Sequence, residues 1–271
     1  MSAAELAALE GILLLDVRSG AAGAQAYREG HLKGALHVDL DRDLAAPVTD
    51  PKHGGRHPLP DVATFCATLG RLGVSPDSDV VLYDDKGGSN AAARLWWMLR
   101  ALGHGKVRVL DGGIAAAKAA GLPVTAEPAI PAPVAPYPAT RFDAPVASHR
   151  DVDMARQDPT RCVLDVRAAE RFAGVHEPLD PVAGHIPGAV NLPLSENLDA
   201  DGRFKSADEL RAQYSALLAG RDPTRLIVHC GSGVTACHTL LALDRAGMDG
   251  AALYVGSWSE WCRNEWPIGK G

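Results

Sequence analysis

A cysteine at the end of an apolar stretch is the residue of this sequence best placed for covalent chemistry. Residues 226–228, Leu-Ile-Val, are typical of a buried strand, and Cys230 follows them at the start of a glycine-rich turn. Residues 234–246 are then predicted to form a helix. A cysteine at such a turn faces free backbone N–H groups and the positive end of the helix dipole, which favour a thiolate. We therefore predict that Cys230 is a nucleophile.

The turn itself is predicted to hold an anion. A buried core cysteine is the usual alternative for a free thiol, but it does not need Gly231 and Gly233 beside it. A thiolate surrounded by backbone amides does need such small residues. Together with Val234 and Thr235, which open the predicted helix, the two glycines are candidate binding residues for the anion.

Composition excludes several classes of protein. Of the 271 residues, 46% are hydrophobic and 22% are charged, which is ordinary for a globular protein. The formal net charge of −6 gives no reason to expect nucleic acid or an acidic membrane as a partner. No apolar run approaches the roughly 20 residues of a membrane span. The 5 cysteines have no regular spacing, which argues against a disulfide framework or a zinc site and predicts a reducing cytoplasm.

Four sequence blocks occur twice in the same order, which predicts two copies of one domain. The first pair reads Leu-Asp-Val-Arg in both copies, and the second reads Gly-His-(Leu/Ile)-x-Gly-Ala. The paired blocks are residues 15–18 and 164–167, 30–35 and 184–189, 80–85 and 226–231, and 110–114 and 254–258.

Each copy alternates short apolar strands with helix-like segments. This pattern predicts an α/β fold in which a mostly parallel sheet is flanked by helices on both faces. We expect an N-terminal domain over residues 1–122, a proline-rich linker over 123–145, and a C-terminal domain over 146–271. Ligands of such sheets bind beyond the carboxyl ends of the strands, where Asp84 and Cys230 lie in the two copies.

The repeated blocks resemble the rhodanese homology domain, and residues 14–268 resemble a tandem two-domain sulfurtransferase. The loop 230–235, Cys-Gly-Ser-Gly-Val-Thr, is similar to the active-site loop of 3-mercaptopyruvate sulfurtransferases. Thiosulfate sulfurtransferases more often carry basic residues after the cysteine. The resemblance implies a catalytic C-terminal copy and an inactive N-terminal copy, in which Asp84 replaces the cysteine.

The reaction that this resemblance implies is the transfer of sulfane sulfur through a Cys230 persulfide. The donor would be 3-mercaptopyruvate or thiosulfate, and the acceptor cyanide, a small thiol or a protein thiol. No metal and no organic cofactor is implied, and no nucleic-acid or membrane partner is expected.

The resemblance also implies two groups of residues around the cysteine. Ser232, His57 and Asp41 match a proposed serine–histidine–aspartate relay, which would manage the proton of the departing pyruvate. From the residues alone, a packing or capping role in its glycine- and proline-rich loop is favoured for His57, and it is the resemblance that brings the relay level with that role. Arg171 matches an arginine that binds the anionic donor, whereas Leu179 stands where the family has a second arginine, which leaves the donor open.

The same cysteine is compatible with two other functions. The His229-Cys230 pair begins like the His-Cys-x5-Arg loop of cysteine phosphatases, but that loop needs an arginine where this chain has Ala236. A persulfide carrier or sensor, which acts only with a protein partner, would use the same cysteine. Steady turnover of small donors favours an enzyme, whereas a single stoichiometric burst favours a carrier.

Other polar and sulfur-containing residues are predicted to be structural. Because Arg18 and Arg167 recur at equivalent places, we expect each to pair with a nearby carboxylate. The recurring His31 and His185 are expected in turns, and His229 in packing. The cysteines expected to be buried and inert are Cys66, Cys162 and Cys262.

Overall fold

A computed structural model describes all residues 1–271, and the chain divides into two compact units. The first unit comprises Met1–Pro47 and Pro60–Asp143, and the second comprises Val48–Leu59 and Ala144–Gly271. The expected boundaries differ from this grouping in two places. Residues 48–59, assigned by sequence to the first domain, group with the second unit. Most of the proline-rich stretch groups with the first unit, where the amide of Val134 donates to the carbonyl of Gly70 at 2.9 Å.

The first unit is built on a parallel sheet with the strand order β3-β1-β4-β5. A separate antiparallel pair joins β2 to β6. The strands are β1 (Leu13–Arg18), β2 (His31–Leu32), β3 (Leu36–Asp39), β4 (Val80–Tyr83), β5 (Val107–Val109) and β6 (Val124–Thr125). The helices are α1 (Ala3–Ala7), α2 (Gly20–Glu29), α3 (Leu40–Asp43), α4 (Val62–Arg71), α5 (Ala91–Ala101) and α6 (Gly113–Ala119).

The second unit contains a five-stranded sheet with the order β7-β11-β10-β8-β9, in which every pair is parallel. Its strands are β7 (Val146–Ala147), β8 (Cys162–Asp165), β9 (Val190–Asn191), β10 (Leu226–His229) and β11 (Ala252–Tyr254). Its helices are α7 (His149–Ala155), α8 (Ala169–Phe172), α9 (Ala207–Leu218), α10 (Ala236–Arg245) and α11 (Ser257–Trp261), with 3₁₀ turns at Leu194–Asn197 and Pro223–Arg225.

The repeat predicted from the sequence is present in the two sheets. The order β3-β1-β4-β5 of the first unit matches β9-β8-β10-β11 of the second, so that β4 and β10 are equivalent. Both are apolar runs buried along their whole length, as strands covered on two faces must be. The predicted α/β class is therefore confirmed.

Local sequence signals account for several helix boundaries. Asp61 caps α4 by accepting the amide of Thr64 at 3.1 Å. Ser206 and Glu209 form a reciprocal capping box at the start of α9. None of the helices is both long and apolar enough to cross a lipid bilayer.

The residues predicted to be structural have the expected partners. Arg18 pairs with Asp16 at 2.6 Å in the first unit, and Arg167 pairs with Asp165 in the second. His31 stacks on Tyr27 and His185 stacks on Phe172, each bonded through Nδ1 to the carbonyl oxygen of its stacking partner. Every cysteine is free and buried.

Candidate active site

Cys230 lies at the end of β10 and is only 1% exposed. Its amide donates to Ser257 Oγ at 3.2 Å, and its carbonyl accepts the amide of Trp258 at 3.0 Å. The next carbonyl, of Gly231, accepts the amide of Ser259 at 2.8 Å. The start of α11 therefore fixes the backbone on both sides of the thiol.

The turn after Cys230 presents backbone N–H groups that have no partner in the protein. The amides of Gly231, Ser232, Val234 and Thr235 donate no hydrogen bond to another protein group. Gly233 has φ = 73°, and a Cβ there would lie 2.4 Å from the carbonyl oxygen of Val255. Because only glycine fits, the backbone takes a conformation that leaves these amides available to an anion at the start of α10.

The equivalent turn of the first unit shows that this arrangement of amides converges on one acceptor group. Asp84 follows β4, is 1% exposed and directs its carboxylate back into its own turn. That carboxylate accepts four backbone amides at distances from 2.7 to 3.2 Å. Burial raises the pKa of Asp84, and the four amides oppose this by stabilising the charge. The donors are the amides of Lys86, Gly88, Asn90 and Ala92.

A serine and a histidine meet beside the turn. Ser232 Oγ lies 2.8 Å from His57 Nδ1, and Ser232 is itself buried. His57 belongs to residues 48–59, which group with the second unit, so that this pair lies within one unit. Asp41 is on α3 of the first unit, where its amide donates to Asp39. Its part in a relay stays a prediction.

Two arginines approach the turn at Gly231. A Cβ on this glycine would lie 3.2 Å from Arg56 Nη2 and 3.4 Å from Arg171 Nη2. Sequence reasoning found Arg171 and missed Arg56, although Arg56 directly precedes His57. Leu179, where a second arginine was expected, is 58% exposed. The structure therefore supplies a second positive charge at the turn from a different part of the chain.

Buried carboxylates hold both arginines. Glu177 accepts Nε and Nη2 of Arg171 at 3.0 and 2.7 Å. Asp180 accepts Nε and Nη2 of Arg56 at 3.0 and 3.3 Å, and also Nη1 of Arg263 at 2.7 Å. Planar, charge-assisted pairs of this kind fix the orientation of a guanidinium group. The N–H groups that are not bonded to the carboxylate therefore keep a constant direction. These residues form a pre-positioned cationic rim around Gly231.

His229 has a packing role, as predicted. It is fully buried, with its ring 6.3 Å from Tyr254 in an edge-on arrangement. Its Nε2 lies 3.8 Å from Asp165 Oδ2 and makes no hydrogen bond. Burial lowers the pKa of His229 and outweighs the opposing effect of Asp165, so the ring is neutral at physiological pH.

Comparison with known proteins places these two units in one family. The rhodanese-like domain family matches residues 2–120 and again residues 149–264. The chain belongs to the rhodanese-like family. Each match covers one copy of the repeat, so the chain is a tandem of two rhodanese-like domains.

Individual rhodanese-like relatives match over most of their length. A probable 3-mercaptopyruvate sulfurtransferase of Pseudomonas aeruginosa is 46% identical over 92% of this chain and 89% of its own. The thiosulfate sulfurtransferase of Bos taurus is 40% identical, over 87% of this chain and 78% of its own. The structure of 3-mercaptopyruvate sulfurtransferase from Leishmania major superimposes with a TM-score of 0.84 at 33% identity, covering 97% of this chain and 74% of that one.

Proposed function

We propose that this rhodanese-like protein is a sulfurtransferase that moves sulfane sulfur from 3-mercaptopyruvate or thiosulfate to a thiol or cyanide. The observation that carries the proposal is the turn at Cys230, where a buried thiol, unpartnered amides and two guanidinium groups meet. Relatives named for these two donors support the substrate class. The absence of an arginine at Ala236 argues against a phosphatase.

In the first half-reaction, the Cys230 thiolate attacks the transferable sulfur of the donor, which is the thiol sulfur of 3-mercaptopyruvate or the outer sulfur of thiosulfate. A new S–S bond forms at Cys230. With 3-mercaptopyruvate the C–S bond breaks and its electron pair leaves as the enolate of pyruvate, which takes up one proton. With thiosulfate the S–S bond breaks and sulfite leaves. Amides of Ser232, Val234 and Thr235 then stabilise the terminal sulfur anion of the persulfide.

In the second half-reaction, an acceptor thiolate or cyanide attacks the outer sulfur. The S–S bond at Cys230 breaks and its electron pair restores the Cys230 thiolate, so the cycle closes without an external oxidant or reductant. The two half-reactions share one covalent intermediate, which predicts ping-pong kinetics.

Charged and hydroxyl groups around Gly231 have separate roles in this scheme. Arg171 and Arg56 bind the carboxylate or sulfonate-like end of the donor through N–H groups that face Gly231. Ser232 and His57 lie 2.8 Å apart and supply the proton that the pyruvate enolate needs. We keep Asp41 as the proposed partner that would orient His57.

The proposed location is the cytoplasm, where thiols stay reduced. All five cysteines of the chain are free, which suits a reducing compartment. A protein thiol is a possible acceptor in addition to small thiols and cyanide.

The test compares steady-state sulfur transfer by the wild type and by Cys230→Ser with each donor. We expect sustained turnover by the wild type, none by Cys230→Ser, and the same unfolding midpoint for both proteins. Turnover by Cys230→Ser above a few per cent of the wild-type rate would contradict the assignment. One stoichiometric burst without turnover would favour the carrier or sensor instead.

A further inference from the structure

Helix α11 is bonded both to the Cys230 turn and to residues 48–59 of the same unit. The carbonyl of Gly231 accepts the amide of Ser259 at 2.8 Å. The side chain of the same serine faces the other partner, and its Oγ accepts the amide of Arg56 at 3.1 Å. Ser259 is fully buried. A single residue of α11 therefore ties the turn to the segment.

The hydroxyl group of Ser259 is held in one orientation. It donates its proton to the carbonyl of Gly256 at 2.9 Å, so that its oxygen lone pairs remain for the amide of Arg56. A buried amide that loses its acceptor is unfavourable, because no water replaces the lost hydrogen bond. The hydroxyl therefore fixes the peptide plane that precedes Arg56.

Glu260, the next residue of α11, supplies a second anchor. Its Oε1 accepts the amide of Gly54 at 2.9 Å, and the residue is only 8% exposed. Between the two anchors, Gly55 lies so close to the start of α11 that a Cβ there would be 2.4 Å from the carbonyl oxygen of Gly256. Three consecutive residues of the segment are therefore fitted against this helix.

The anchored backbone directs two consecutive side chains to two consecutive residues of the Cys230 turn. Arg56 Nη2 lies 3.2 Å from the position that a Cβ on Gly231 would take. His57 Nδ1 lies 2.8 Å from Ser232 Oγ. Because the two side chains leave the backbone from adjacent Cα atoms, a shift of the backbone at this point displaces both groups together.

We propose that Ser259 and Glu260 are positioning residues of the sulfur-transfer site, an inference that rests on the function proposed above. They hold the backbone of residues 54–56 on α11. Through this backbone they set the guanidinium of Arg56 for the donor anion and the ring of His57 for the proton of the leaving group. Neither of the two takes part in the chemistry, and the loss of either should resemble a partial loss of both positioned groups.

The first test is steady-state kinetics of Ser259→Ala with both donors. We expect the KM of each donor to rise by roughly 3- to 30-fold, because Arg56 is displaced and not removed. The kcat should fall further with 3-mercaptopyruvate than with thiosulfate, because only the pyruvate enolate needs the proton from His57. The matched control is Ser78→Ala, which also removes a hydroxyl that accepts a backbone amide, that of Ser75 at 2.9 Å in the first unit. It should leave both constants unchanged.

A combined variant separates positioning from a general loss of stability. In a protein that already carries Arg56→Ala and His57→Ala, we expect Ser259→Ala to cause no further loss of kcat/KM with thiosulfate, because the groups that it positions are gone. The same fold loss as in the wild-type background would overturn the proposal. Wild-type kinetics of the single variant Ser259→Ala would overturn it as well.

Glu260 provides a test that does not depend on the folding of Ser259→Ala. Glu260→Gln keeps an oxygen that can accept the amide of Gly54, whereas Glu260→Ala does not. We expect Glu260→Ala to show the kinetic pattern of Ser259→Ala, and Glu260→Gln to keep the wild-type constants within about twofold. An equal loss in both variants would overturn the role of Glu260 as an anchor.

Alkylation of Cys230 tests the positioning without any sulfur transfer. Iodoacetate carries a negative charge and iodoacetamide does not, so the ratio of their rates at this thiol reports the positive charge at the turn. Mass spectrometry of the labelled peptide measures both rates. We expect the ratio to fall in Arg56→Ala and in Ser259→Ala, and to stay at the wild-type value in Ser78→Ala.

The alkylation ratio also separates this proposal from the proposed function. A ratio that Ser259→Ala leaves unchanged would overturn the positioning role, whatever the wild-type turnover. If the wild type shows no turnover while the ratio falls as expected in Ser259→Ala, the proposed function fails and the positioning of Arg56 stands.

Discussion

Arg56 and Arg171 reach the same glycine but are held by different carboxylates, Asp180 and Glu177. Each carboxylate is buried and anchored by further donors, so removing one arginine leaves the other in place. Sequence comparison identified Arg171 because it lies in a recognisable block. It missed Arg56 because the pair Arg56–Asp180 joins residues 124 positions apart, and no local pattern encodes such a contact.

Substituting either arginine should weaken donor binding. We expect Arg56→Ala and Arg171→Ala each to raise the KM of the donor by roughly 10- to 100-fold, since each removes a charge-assisted contact to an anion. Initial rates over a range of donor concentrations measure this, with the exposed Arg150→Ala as the control. An unchanged KM for both donors would remove that arginine from the site.

The Ser232–His57 pair should matter most for the donor whose leaving group needs a proton. We expect His57→Ala to lower kcat more with 3-mercaptopyruvate than with thiosulfate, because sulfite leaves without being protonated. If the two residues act as one unit, Ser232→Ala combined with His57→Ala should be no worse than either alone. Equal losses with both donors would count against the relay.

The elements that position Cys230 were largely predictable. Apolar runs located β4 and β10, and the glycine-rich sequence after β10 located the turn. The sequence predicted helix α10 from residue 234, whereas it begins at Ala236 because the preceding residues keep the turn open. Short strands such as β7 and β9 were missed, since two residues carry no periodicity.

The two glycines of the turn should respond differently to substitution. A Cβ on Gly233 would lie 2.4 Å from a backbone oxygen at φ = 73°, so Gly233→Ala should lower the unfolding midpoint and abolish most activity. A Cβ on Gly231 would lie 3.2 and 3.4 Å from the guanidinium ends of Arg56 and Arg171, which would have to shift by only a few tenths of an ångström. Gly231→Ala should therefore keep its stability and lose mainly donor affinity. Thermal unfolding and KM measured on both variants check this, and a stable Gly233→Ala would contradict it.

At the scale of the whole molecule, the sequence did not predict that residues 48–59 group with the second unit. The repeat indicated two domains and the boundary was placed by composition, which shifts at the proline-rich stretch and not at Val48. Polar contacts join residues 48–59 to the second unit. Glu260 accepts the amide of Gly54 at 2.9 Å, and Ser259 accepts the amide of Arg56 at 3.1 Å. The periodicity of apolar residues cannot predict such contacts, because they are polar and join residues far apart in the sequence.

Stability should fall in mild acid because buried histidines stay neutral in the folded protein. Burial lowers the pKa of His238 from 6.5 to about 3, with its ring stacked 4.4 Å from Phe204. Below pH 6.5 the unfolded chain binds a proton that the folded chain does not, so stability decreases as the pH falls. From pH 6.5 to 5.0 this single group accounts for about 2 kcal/mol.

The measurement is urea unfolding of the wild type and His238→Gln at several pH values between 5 and 7.5. The wild-type midpoint should fall as the pH is lowered, and the variant should show a shallower dependence. The exposed His176→Gln serves as the control and should keep the wild-type slope. An unchanged slope in His238→Gln would show that this histidine titrates normally in the folded state.

Asp84 occupies in the first copy the position that Cys230 occupies in the second, so the two turns can be compared within one molecule. Four backbone amides donate at Asp84 to a carboxyl group that is part of the chain and therefore cannot leave or exchange. The first copy thus carries a built-in acceptor in its turn, whereas the amides of Ser232, Val234 and Thr235 in the second copy have no acceptor within the protein. Asp84→Asn replaces one of the two acceptor oxygens by an NH2 group, so two amides lose their acceptor, and the fall in the unfolding midpoint measures what that acceptor contributes.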